Sequence, residues 1–185
     1  MTRQHRFSGV ARCLHWIMAA LIVAALFIGV GMVTTTTYYH DLVSIHRPLG
    51  IAILVLAAIR LIYRLFHSPP PLPAAMPSYI RIGASISHIA LYALMFAVPI
   101  VGWSMLSAEG FPIELYGSLR LPPILPVDPD LYAILRPTHT ILALFLFLVF
   151  LFHLAAALLH ALVFRDGVFE SMASLPGTDE TTGRP

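Results

Sequence analysis

No charged residue lies between Arg136 and Arg165 in the segment RPTHTILALFLFLVFLFHLAAALLHALVFR. An apolar run of that length exceeds the roughly 20 residues a helix needs to cross the hydrocarbon core of a bilayer. The same segment holds His139, His153 and His160, spaced by 14 and then by 7 residues. At about 100° per residue both spacings return to nearly the same helix face, and at about 1.5 Å per residue His139 and His153 stand about 21 Å apart. Ionisable side chains inside a span are rare and mark functional positions by default. The rest of the chain must supply partners for these imidazoles.

Of 185 residues, 58% are hydrophobic and 11% charged, a balance that belongs in a membrane rather than in water. A single cysteine excludes an internal disulfide framework and a thiolate metal cluster. All basic residues are arginine, so Schiff-base chemistry on lysine is excluded as well. Nothing in the charge pattern suggests a nucleic-acid partner.

The pattern predicts an all-α membrane protein, a bundle of four transmembrane helices, with spans at about 13–33, 42–66, 82–106 and 138–164. Residues 1–166 read as one bundle domain and 167–185 as a polar, mobile C-terminal tail. His67 to Pro77, HSPPPLPAAMP, cannot be helical and reads as an extended connector. Residues 107–135 read as a long loop with five prolines and four acids. Arg3, Arg6, Arg12, Arg60, Arg64, Arg81, Arg165 and Arg184 fall on the side shared by both termini, against Arg47, Arg120 and Arg136 on the other. That asymmetry predicts both termini in the cytoplasm.

Depth then sorts the histidines into two levels. His46 and His139 belong near the outer surface, and His15, His88, His153 and His160 toward the inner one. His5, His40 and His67 read as loop residues. Facing imidazoles from different helices of a bundle are what bis-histidine haem b requires. The spans offer no thiolate or carboxylate partners, which disfavours zinc and di-iron sites. A lone histidine that merely bonds a neighbouring helix, a contact worth about 0.6 kcal/mol, is the competing explanation for each position. By depth alone His15 pairs with either His153 or His160.

Four motifs carry a family resemblance: RFSGVARCLHW, SIHRPLGIAILVLAAIRLIYRL, SHIALYALMFAVPIVGW and HTILALFLFLVFLFHLAAALLH. In this order and spacing they resemble the bacterial cytochrome b561 family of four-helix, di-haem inner-membrane proteins. The likeness extends in particular to its short stand-alone members, superoxide oxidases among them, and covers essentially all of the chain except the tail. It implies two haems b, with His46 and His139 as axial ligands of the outer iron and His15 and His153 as those of the inner iron. It implies superoxide as electron donor and ubiquinone as acceptor, with Ser8, His88 and His160 around the quinone. Arg47 and Arg136 lie close in sequence to the outer histidines, where guanidinium groups suit haem propionates or the attraction of a small anion. They are the candidate catalytic residues. The family also contains haem b anchors that pass electrons from a periplasmic dehydrogenase or hydrogenase to quinone. That role, with a redox partner subunit, is the second expectation. A channel with structural histidines is the third, and it predicts a colourless protein.

Overall fold

The computed structural model describes residues 6–73, 75–116 and 119–173. His5, Arg3, Arg184 and the end of the predicted tail lie outside them.

Four long helices, α1 Gly9–Thr34, α2 Tyr39–Phe66, α3 Ser78–Glu109 and α4 Pro129–Leu159, make up most of the chain. Each is long and apolar enough to cross a membrane. Their outward faces are apolar too, with Phe27, Val33, Leu65, Phe152 and Leu162 exposed, as lipid-facing helices require. The protein is a four-helix transmembrane bundle.

The helices overrun the predicted spans, and at the starts of α1 and α4 and the end of α3 a cap sets the boundary. The Ser8 hydroxyl accepts the Ala11 amide at 3.2 Å and opens α1. Asp128 accepts the amides of Asp130 and Leu131 at 3.0 Å, with Pro129 in the first turn of α4. Helix α4 therefore begins well before the apolar run and contains Pro137. Gly110, at φ 84°, ends α3 in the left-handed conformation that glycine alone adopts at no steric cost. His40, expected in a loop, is the second residue of α2, and His67 caps its other end.

Two further elements depart from expectation. The segment between α3 and α4 contains an antiparallel hairpin, β1 Ile113–Tyr116 and β2 Leu119–Leu121, with Glu114 and Arg120 ion-paired at 2.8 Å. Buried Ser107 tethers this segment, donating to the Trp103 carbonyl at 2.9 Å and accepting the Ile124 amide at 3.1 Å. At the other end, the start of the predicted mobile tail is the short helix α5, Val168–Ala173. It docks on α1: Phe7 N–H donates to the Ser171 carbonyl and the Trp16 indole N–H to the Met172 carbonyl, both at 3.1 Å.

The bundle core lies between the two ends, where Met18, Ile22, Ile53, Ala57, Met95 and Leu146 bury one another. Leu146 sits seven residues from both His139 and His153, so α4 presents one inward stripe, His139–Leu146–His153. Helix α2 repeats the spacing with His46–Ile53–Arg60. Consecutive helices run antiparallel, as in an up-and-down bundle. Gly29 near the end of α1 thus meets His46 near the start of α2, and Gly102 near the end of α3 meets His139 near the start of α4.

Candidate haem sites

At the hairpin end, the His46 and His139 rings face each other with centroids 6.3 Å apart and planes at 85°. At the end that carries Ser8 and α5, which we call the terminal end, His15 and His153 stand 6.4 Å apart at 71°. A direct hydrogen bond between two imidazoles would bring the centroids to roughly 5.2 Å. An iron about 2 Å from one nitrogen of each ring separates them by roughly 6.3 Å instead. Rotation of either ring about a metal–nitrogen axis would leave this distance unchanged, so the steep angle between the rings is compatible with a shared iron.

The surroundings of the hairpin-end pair fit the same chemistry. His139 Nδ1–H donates to the Val98 carbonyl at 3.1 Å, which leaves Nε2 with the lone pair a metal needs. The ring lies against Gly102, where a Cβ would come within 3.0 Å of His139 Cε1. Pro99, one turn earlier in α3, removes a ladder donor beside this contact. His46 lies against Gly29 with more room, 3.7 Å to its Cε1. His46 Nδ1 is a buried polar atom that makes no hydrogen bond among the described residues.

The terminal end is more crowded. His88 of α3 also approaches His153, at 5.6 Å, a separation shorter than an iron-bridged pair requires. His160, the alternative partner of His15 by depth, is engaged elsewhere. Its Nδ1–H donates to Asp166 Oδ2 at 2.7 Å within a π-helical turn, His160–Phe164, that continues α4. The other Asp166 oxygen accepts the Val168 amide at 3.2 Å, so one carboxylate joins His160 to the start of α5.

Two adjoining cavities open at this end. The first, about 330 Å³, is lined by Arg6, Ser8, Arg60, Tyr63, Arg64 and Tyr92 among others, and the Ser8 and Tyr63 hydroxyls are hydrogen-bonded at 2.8 Å. The second, about 550 Å³, has His88, Arg64 and Tyr92 in its wall. Of the three quinone candidates, Ser8 therefore lines the first cavity, His88 the second, and His160 neither. At the opposite end, half-buried Arg47 follows His46, whereas Arg136 is exposed and near Tyr132.

The family model described as prokaryotic cytochrome b561 matches residues 6–174, nearly the whole chain. This protein belongs to the prokaryotic cytochrome b561 family. It is similar to cytochrome b561 homolog 2 of Escherichia coli K12, 29% identical over 178 residues that cover 94% of both chains. It is similar to the probable superoxide oxidase CybB of Yersinia pestis, 31% identical over 161 residues, 86% of this chain and 90% of that one. Cytochrome b561 homolog 1 of Escherichia coli K12 is 26% identical over 171 residues, 91% and 97% of the two chains. As a cytochrome b561, the chain is a multi-pass bacterial membrane protein that binds haem b and transfers electrons.

Sequence reasoning counted Arg60 only as a cation marking the cytoplasmic side and passed over Tyr63 and Tyr92. A signal for Arg60 was present: it follows His46 by 14 residues, as His153 follows His139.

Proposed function

We propose that this cytochrome b561 is a di-haem superoxide:ubiquinone oxidoreductase, carrying electrons from the periplasmic face to quinone near the cytoplasmic face. The observation that carries the reading is the pair of imidazole pairs, at 6.3 and 6.4 Å, one at each end of the bundle. In this reading residues 1–166 form the haem domain, and the arginine asymmetry puts both termini in the cytoplasm, so the hairpin end is periplasmic. His46 and His139 would hold one haem, and His15 and His153 the other. When bound, the haems supply reversible one-electron chemistry between donor and acceptor.

The chain's own residues do the rest. His139 is held in one tautomer by Val98, so its coordinating nitrogen is presented without rearrangement. Arg47 and Arg136 give the periplasmic mouth positive charge, which raises the local concentration of a small anion such as superoxide. Two superoxide anions leave as dioxygen, and one ubiquinone takes up the two electrons with two protons. Those protons must be supplied at the cytoplasmic end, where Ser8 and His88 line the cavities and His160 is backed by Asp166. Support for superoxide as donor comes from the 31% identical relative named as a probable superoxide oxidase. Mixing the purified protein with superoxide and ubiquinone tests the reading: quinol formation that tracks superoxide loss is expected, and haems that ignore superoxide would overturn it. A His160→Ala protein with both haems and full quinone reduction would remove His160 from the quinone site.

One observation favours a second reading, a haem b anchor for a periplasmic dehydrogenase or hydrogenase. Phe111, Leu119 and Val127 are exposed around the hairpin, apolar surface of the kind a partner subunit covers. Co-purification of a larger redox subunit distinguishes the two.

A further inference from the structure

Arg60 is built into the bundle rather than onto it. On α2 it continues the inward stripe through Ile53 and Ala57, which are 6% and 0% exposed, while Val55, Ile59 and Ile62 carry the lipid-facing side. A basic residue that only marks the cytoplasmic surface needs no such placement, and Arg64, one turn later, is exposed. The Arg60 guanidinium donates from Nε to the Tyr92 hydroxyl of α3 at 3.2 Å. Among the described residues no carboxylate pairs with it. It lines the first cavity, and its partner Tyr92 lines the second beside His88, at the end of the bundle that holds His15 and His153. A half-buried guanidinium with no carboxylate beside it costs free energy unless something opposite it is negative or becomes so. A centre that gains an electron on reduction is such a group, and electrostatic control of a haem through a neighbouring charge is one of the levers a protein has.

We propose that Arg60, oriented by Tyr92, sets the redox potential of the terminal-end centre, its positive charge favouring the electron-loaded form of a haem held by His15 and His153. This rests on the two-haem reading above. In this role Arg60 is a positioning charge that draws the electron toward the end where the cavities lie, the first of which it lines.

Redox titration of the purified protein, followed in the visible haem bands, tests the proposal with R60Q, R60K and Y92F. The haem count of the unaltered protein reports separately on the two-haem reading, and the midpoints report on Arg60. In R60Q one midpoint falls by about 59 mV or more, a tenfold shift toward the oxidised form for a one-electron couple, while the other stays in place. R60K recovers most of that shift, and Y92F moves the same midpoint down by less. Unchanged midpoints in R60Q, or equal shifts of both, would overturn the proposal. If R60Q does not assemble its haems, Y92F decides: a lowered single midpoint supports Arg60, and an unchanged one overturns it.

Discussion

Gly102 and His139 are in contact across the α3–α4 interface, so close that a methyl group on Gly102 would lie 3.0 Å from His139 Cε1 and 3.2 Å from Nδ1. The ring cannot swing aside without losing its hydrogen bond to the Val98 carbonyl. Gly102 thus fixes how near the hairpin-end imidazole sits to α3.

That contact predicts opposite outcomes for two superficially equal substitutions. Gly102→Ala displaces His139 and lowers haem content toward one per chain, with the loss confined to one spectral component. Gly29→Ala, whose methyl would meet His46 Cε1 at an ordinary 3.7 Å, retains both haems. Haem-to-protein ratios of the two variants check this.

Asp166 joins two elements through one carboxylate, accepting from His160 Nδ1 and from the Val168 amide. Asp166→Ala leaves the mostly buried imidazole without its partner and uncaps α5. Loss of such a hydrogen bond costs about 1–3 kcal/mol, so thermal unfolding in detergent shifts down by a few degrees. Asp166→Asn, which keeps an acceptor oxygen, loses less.

If Arg47 and Arg136 attract an anion, their effect belongs to encounter and weakens with salt. Arg47→Gln and Arg136→Gln are expected to lower the second-order rate with superoxide several-fold at low ionic strength. The difference from wild type shrinks as the Debye length falls to about 8 Å near physiological salt. Stopped-flow rates across a salt series check it; equal losses at every ionic strength would point to a structural role.

The helix count and the division of the histidines between two ends were legible in the sequence because both rest on distance along a helix. Four apolar runs fix four helices, and a 14-residue step on α4 fixes the separation of His139 from His153. What was not legible depends on contacts between elements. Nothing in the order of residues says that His160 turns to Asp166, since that bond needs a π-helical turn and the left-handed Arg165 that follows it. Nor does it say that His88 approaches His153 from α3. The hairpin at Ile113–Leu121 was hidden by the prolines that flank it, Pro112, Pro122 and Pro123, and α5 by the polar residues around it. Arg60 was hidden for a different reason. An arginine near a helix end satisfies a topology rule, and only the burial of Ile53 and Ala57 shows which way it faces.

The most direct measurement is haem b per chain, by pyridine haemochrome, for the unaltered protein and for His139→Ala and His153→Ala. The account predicts two haems in the first and one in each variant, the survivor differing in its reduced-minus-oxidised spectrum. A colourless protein, or a His153→Ala protein that keeps both haems, would contradict it.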